Sequence, residues 1–278
     1  MPAVTLAEAL AAAAGLGLDR LDRQLLLLHA LGRGPDQRAW LLVHDMDELQ
    51  DGVRSNFMRF CERRAAGEPL AYITGHREFF GLDLVVDPRV LVPRPETETL
   101  VEWALEVIRD RPEPRVIDLG TGSGAIALAI KSQRPDARVT ATDASAGALE
   151  VAAANARALE VDIDLRQMPW LAGIQGRFDL IVSNPPYIAT RDQHLAGLAH
   201  EPLSALAAGP DGLDDLRAII GQAPAHMTAS GWLLLEHGYD QAEAVCALLA
   251  GAGFHNIAGR RDLAGIARCS GGQWLELG

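Results

Sequence analysis

Four consecutive residues, Asn184-Pro185-Pro186-Tyr187, carry the most explicit chemistry in the chain. The Asn side-chain oxygen and a neighbouring backbone carbonyl are two acceptors, each able to take one N–H hydrogen from a planar amide or amine nitrogen. Such a nitrogen is a poor nucleophile because its electrons are delocalised. Two acceptors hold it in place and stabilise it as it pyramidalises and gains positive charge toward an electrophile. The prolines stop the preceding strand, stiffen the turn and keep competing N–H donors out of the pocket. Tyr187 offers a ring to stack on the planar group and fix its orientation. The motif holds no His or Glu, and none is required beforehand, because an N-substituted amide cation sheds its proton readily. A rigid turn alone would explain Pro-Pro but not the Asn and Tyr that flank it.

A second motif, Gly120-Thr121-Gly122-Ser123-Gly124, follows Val116-Ile-Asp-Leu119, which reads as a buried strand, and precedes a helical stretch. Glycines at the carboxyl end of a strand in an open α/β sheet let the backbone approach a ligand. Gly120-x-Gly122-x-x-Ala125 also satisfies the dinucleotide fingerprint of dehydrogenases, so the loop alone specifies a nucleotide-type pocket rather than one cofactor. Asp143 closes the next expected strand, where a carboxylate can accept both hydroxyls of a ribose. It could equally serve the start of the following helix, a task Ser145 could share.

The elements that must position these residues fall into two textures. Up to about residue 67 the pattern is helical: a helix opened by the capping box Thr5-x-x-Glu8, a second over Leu18 to Leu31, and a long third ending near Gly67. The second presents Leu21, Leu25, Leu28 and Leu31 at helical spacing and stops at Gly32 and Gly34. Glu78 to Asp87 and Val90 to Val92 read as two strands around a turn at Asp87-Pro88, a hairpin linker. Beyond Pro93, expected helices at 96–110, 125–131, 146–159 and 241–249 alternate with strands at 116–119, 138–142, 178–182, 232–236 and 273–277. That alternation is the mark of a doubly wound, Rossmann-like parallel sheet.

The chain has 278 residues, 49% hydrophobic and 22% charged, enough to bury a sizeable core. Its net charge of −12 disfavours nucleic acid as a partner, and no dense basic cluster exceeds Arg59 to Arg64. Cys61, Cys246 and Cys269 form no C-x-x-C pair and the histidines have no ligand spacing, so neither a disulfide framework nor a metal site is expected. The Ala-rich start has no basic residue before it and no apolar run reaches membrane-spanning length; a cytoplasmic protein without a membrane segment is expected.

Taken with Val92-Pro-Arg-Pro-Glu-Thr-Glu98 and Glu236-His-Gly238, these motifs resemble, nearly end to end, the HemK/PrmC family. Its members methylate the glutamine of the Gly-Gly-Gln motif in peptide chain release factors. The resemblance implies a class I S-adenosylmethionine-dependent methyltransferase fold with a seven-stranded sheet. It further implies a helical bundle over 1–70 that recognises the release factor, a hairpin linker over 71–95 and a catalytic domain over 96–278. Gly120, Thr121, Gly122, Ser123, Gly124 and Asp143 would bind S-adenosylmethionine, with Trp170 packing near the adenine. Asn184 would meet both cofactor and substrate, and Asn184, Pro185, Pro186 and Tyr187 would hold the glutamine amide. Arg94, Glu96, Glu201 and Glu236 also match family motifs, in roles open between structure and chemistry. Ala208-Gly-Pro-Asp-Gly212 and Gly265-Ile-Ala-Arg268 depart from the pattern, and Gly271-Gly-Gln273, which repeats the substrate motif by letter, is expected to form a turn.

The competing readings are a nucleic-acid base methyltransferase, which would have to extract a base into the same pocket, and a glutamine methyltransferase of a ribosomal protein. A nicotinamide-dependent dehydrogenase leaves Asn184 to Tyr187 unexplained, and a silent cofactor-binding module leaves it unused.

Overall fold

A computed structural model describes residues 4–276, which divide between His76 and Arg77 into two compact units. The first is all helical: α1 (Leu6–Ala14), α2 (Arg20–Ala30), α3 (Arg38–Val43), α4 (Asp51–Ala65) and α5 (Leu70–Thr74). The capping box at α1 forms, with Thr5 N–H donating to Glu8 Oε2 at 2.8 Å and Glu8 N–H donating to Thr5 Oγ1 at 3.2 Å. Helix α2 ends at Gly32, whose φ of 68° is the left-handed conformation of a Schellman stop, and Arg33 N–H donates back to Leu28 at 2.9 Å. The face that α2 buries differs from the expected stripe: Leu26, Leu27 and Leu28 are buried while Leu21 is exposed. The reason is that α2 touches α1, α3, α4 and α5, so a contiguous Leu run, rather than one stripe, meets neighbours on several sides.

The second unit opens with a two-stranded hairpin, β1 (His76–Phe79, whose first residue closes the first unit) and β2 (Leu82–Val85). It lies earlier than expected, and Val90 to Val92 form no strand. Phe80 and Gly81 both have positive φ, 51° and 78°, which makes a two-residue turn matched to strand twist, whereas Asp87-Pro88 lies beyond it in irregular chain. After a single 3-10 turn at Pro95–Thr97 come α6 (Glu98–Val107), β3 (Arg115–Leu119), α7 (Ala125–Gln133), β4 (Arg138–Asp143), α8 (Ala146–Ala158), β5 (Asp164–Gln167) and β6 (Phe178–Ser183). The chain continues through α9 (Asp214–Gln222), β7 (Met227–Glu236), α10 (Ala242–Gly251), β8 (His255–Arg261) and β9 (Ala267–Gln273).

Seven strands form one sheet in the order β5-β4-β3-β6-β7-β9-β8. The first five run parallel, and β9 is antiparallel to both its neighbours, so the sheet is mixed rather than wholly parallel. Side chains alternate between two cores. Val116, Leu180, Val182 and Leu234 pack with α6 and α7, while Ile117, Leu119, Ile181, Leu233 and Leu235 pack with α9 and α10.

The last strand ends at Gln273 instead of starting there, and Leu277 of the expected strand lies outside the described residues. Gly271 and Gly272 are therefore inside an inner strand and make no turn. A Cβ on Gly271 would sit 2.5 Å from Leu234 Cδ2 and 2.7 Å from the Leu233 carbonyl oxygen, so glycine permits this pairing. Among the described residues no helix is long and apolar enough to cross a membrane.

Candidate functional site

The strand order reverses at β3: its successor β4 lies on one side and β6 on the other, a topological switch point where the carboxyl ends of neighbouring strands splay apart. Leu119 pairs with Ser183 across this point, and Ser183 Oγ donates to the Leu119 carbonyl at 2.7 Å. The next residue on each strand is Gly120 and Asn184. Parallel register thus brings two motifs far apart in sequence to one place.

A cavity of about 320 Å3 opens there. Gly120, Thr121, Gly122, Ser123, Asp143, Trp170, Asn184 and Pro186 line it; Gly124, Pro185 and Tyr187 do not. Gly124 starts α7 at φ 85°, and a Cβ there would press on Leu128 and Ala152. Pro185 is buried. Tyr187 packs against the α9 and α10 core, and its carbonyl accepts from Gln241 Nε2 at 3.0 Å.

The glycine loop is shaped by backbone conformations that side chains resist. Gly120 and Gly122 have φ of 69° and 55°. A Cβ on Gly120 would come within 3.1 Å of the Trp170 ring, whereas one on Gly122 would meet nothing within 4 Å, so the loop presents bare backbone to open space. Asp143 holds this shape: one carboxylate oxygen accepts from Gly122 N–H at 2.9 Å and the other from Ser145 N–H at 2.8 Å. Ser145 is the N-cap of α8. Trp170 also has positive φ, 50°, a costly conformation for so bulky a residue, and its indole is tied to Asp215.

Behind the loop, Thr121 Oγ1 donates to Asp118 Oδ2 at 2.6 Å, while Asp118 Oδ1 is buried without a partner. Burial pushes the Asp118 carboxyl up to about 7 against the Thr121 hydrogen bond. Asn184 Nδ2 donates to Thr97 Oγ1 at 3.2 Å. Neither Asp118 nor Thr97 was assignable to the site from sequence. The one available signal was a carboxylate inside the otherwise apolar run Val116 to Leu119.

Residues 98–205 match the Methyltransferase small domain family and residues 3–75 match the PrmC N-terminal domain. A release factor glutamine methyltransferase of Bordetella pertussis is 50% identical over 260 residues, 92% of this chain and 95% of that one. The Escherichia coli protein of the same name is 40% identical over 261 residues, covering 92% and 93%. The chain belongs to the release factor glutamine methyltransferase family. Its fold is also that of a methyltransferase from Pyrococcus furiosus, with a TM-score of 0.51 at 18% identity over 79% of this chain and 98% of that one. The hMettl16 catalytic domain gives 0.59 at 17% identity, covering 78% and 83%.

Within this family member, the remaining motif residues divide between scaffolding and the site. Arg94 pairs with Glu201 at 2.5 Å, and Val92 N–H donates to Glu201 at 3.1 Å, so this carboxylate ties the segment before α6 to the segment after β6. Arg94 also lines the cavity. Glu236 is buried at the end of β7, beside Thr97 and Asn184, and burial pushes its carboxyl up to about 7. The charge of Glu96 acts on Glu236 and on Arg268. Both departures from the family pattern touch the site's surroundings: a Cβ on Gly212 would meet the Tyr187 carbonyl oxygen at 2.2 Å, so that loop abuts the motif's backbone, and Arg268 pairs with Asp262 at 2.9 Å and acts on Glu236.

Proposed function

We propose that this chain transfers the methyl group of S-adenosylmethionine to the side-chain amide nitrogen of the Gly-Gly-Gln glutamine in peptide chain release factors. The products are a glutamine methylated on its side-chain nitrogen and S-adenosylhomocysteine. One observation carries the reading: the nucleotide-type glycine loop and the acceptor-bearing Asn184 are consecutive wall segments of one cavity, in register across β3 and β6.

The residues present suit the cofactor. The cavity volume is that of a small-ligand site, and the loop offers unencumbered backbone at Gly122. Gly120 to Ser123 and Asp143 would hold it, the carboxylate facing the ribose, with the Trp170 ring beside the adenine. Gly124 acts from behind, by allowing α7 to start close to α8. When bound, S-adenosylmethionine supplies an electrophilic methyl group on a sulfonium sulfur.

Asn184 Oδ1 accepts one amide hydrogen of the glutamine, a backbone carbonyl of the Asn184 to Tyr187 turn accepts the other, and the nitrogen lone pair is aimed into the cavity. As the N–C bond forms and the S–C bond breaks, these acceptors stabilise the charge growing on nitrogen. The proton then leaves to water. Pro185 keeps the turn rigid from the core side, Pro186 forms cavity wall, and Tyr187 fixes the turn through its ring packing rather than from the cavity wall itself.

The three cysteines are free thiols, which suits a cytoplasmic setting. We assign recognition of the release factor to the helical unit over residues 1–76. Nucleic acid and membrane are not partners in this reading.

Labelled methyl transfer tests it, using a purified release factor, its Gly-Gly-Ala form and duplex DNA. Label is expected on the intact factor alone, and on none of the three when residues 1–76 are deleted, with S-adenosylhomocysteine binding retained. Label on DNA or on the Gly-Gly-Ala factor would refute the substrate, and undiminished transfer by the truncated chain would refute the role of the helical unit.

A further inference from the structure

A primary amide is nearly symmetric in outline, so an asparagine that must present its oxygen has to be prevented from presenting its NH2. Flipped, Asn184 would set two donors against the two donors of a substrate amide. Its own Nδ2 donates to Thr97 Oγ1 at 3.2 Å. A hydroxyl can donate or accept, however, so Thr97 alone does not fix the direction.

Glu236 supplies the missing direction. Leu235 pairs with Ser183 across β7 and β6, which places Glu236 next to Asn184 at the ends of adjacent strands. Its carboxylate is 1% exposed and faces the Thr97 hydroxyl and the Asn184 side chain, both of which favour its charged form. An ionised carboxylate only accepts. The Thr97 hydrogen therefore turns to Glu236, and the Thr97 lone pair is left for Asn184 Nδ2. We propose that Thr97 and Glu236 are positioning residues that hold the Asn184 carboxamide with its nitrogen inward and its oxygen toward the cavity. The proposal rests on Asn184 being the acceptor for the substrate amide.

The arrangement is sensitive to pH. Burial, and to a smaller extent the charge of Glu96 in the 3-10 turn before α6, raise the Glu236 carboxyl against the opposition of Thr97, Arg268 on β9 and Asn184, with a net position of about 7. Tyr187 and Cys269, whose own ionisation is suppressed by burial and by the Glu236 charge, are neutral neighbours, and Arg94 lies by Tyr187. Once protonated, Glu236 can donate to Thr97, and the directional chain is lost. Turnover should fall as pH drops through about 7.

The test compares full-length wild type with Glu236→Gln, Thr97→Val and Thr97→Ser. Glu236→Gln keeps the shape, adds a donor and removes the titration. It should lower kcat at pH 8 by about tenfold, the cost of misorienting one hydrogen-bonding group, and abolish the acidic limb of the kcat profile. Calorimetric S-adenosylhomocysteine affinity should stay within about twofold of wild type if the group acts on orientation rather than on binding. Thr97→Val should behave likewise, and Thr97→Ser should retain most activity. A second readout needs no turnover: the Asn184 side-chain NH2 signals in 15N NMR should exchange slowly with water in wild type and rapidly in Thr97→Val and Glu236→Gln. Unchanged exchange, a retained acidic limb in Glu236→Gln, or equal loss in Thr97→Ser and Thr97→Val would overturn the proposal. Absence of methyl transfer by wild type would instead refute the substrate, leaving the NMR result to judge the positioning.

Discussion

Gly120 meets three demands at once: a φ of 69°, the Trp170 ring over its α-carbon, and a place on the cavity wall directly after β3. Alanine fails the first two. Its left-handed backbone costs about 1 kcal/mol, and its Cβ would displace the Trp170 ring from 3.1 Å. Gly120→Ala is expected to weaken S-adenosylhomocysteine affinity at least about tenfold, since 1.4 kcal/mol is a factor of ten, while the chain stays folded. Calorimetry beside thermal denaturation measures both, and wild-type affinity would show that the loop does not bear on the cofactor. The loop was legible in sequence because glycine is the residue that takes such angles without cost. Asp143 was legible by its place at a strand end, although it also braces Gly122 and Ser145. Glu236 was legible as a motif residue but its role was not, and Thr97 went unassigned within Val92 to Glu98, since what both do comes from adjacency to Asn184 in the fold, which no local pattern encodes.

At the scale of elements, one buried side chain on α8 joins three segments. Asn155, 1% exposed, accepts from Val85 N–H at 2.7 Å and donates to the carbonyls of Val85 at 3.0 Å and Ser123 at 2.9 Å. It thereby couples the β2 strand and the glycine loop to α8. Asn155→Ala removes the partner of three backbone groups, one buried and two half-buried, and a destabilisation of about 2 kcal/mol is expected, the half-buried groups costing less than the ~1 kcal/mol or more of a fully buried one. Urea unfolding should show it, and a change under about 0.5 kcal/mol, the level of an ordinary surface substitution, would mean the groups find other partners. The interior strands β3, β4, β6 and β7 were readable from their apolar runs. The edge strands β5 and β8 and the inner strand β9 were not: β5 has four residues and little apolar content, β8 is mostly exposed, and β9 reads Ala-Arg-Cys-Ser-Gly-Gly-Gln, a composition that signals loop. Its strand state is imposed by two flanking partners and by close approach to Leu233 and Leu234. The hairpin was displaced in the sequence reading because Phe80 takes a left-handed angle that a bulky residue rarely adopts.

For the molecule as a whole, the doubly wound order places the ends of β3 and β6 side by side, and this single topological fact turns two distant motifs into one site. The central claim is that Asn184 holds the glutamine amide in the cavity that also takes the cofactor. Single-turnover methyl transfer to a release factor by Asn184→Ala, with S-adenosylhomocysteine affinity measured on the same preparation, tests it most directly. The account predicts a fall in transfer of at least about a hundredfold, the scale for losing a charge-stabilising group in the transition state, with cofactor affinity reduced far less. Transfer within a few-fold of wild type would contradict it, and would place the glutamine amide on another wall of the cavity.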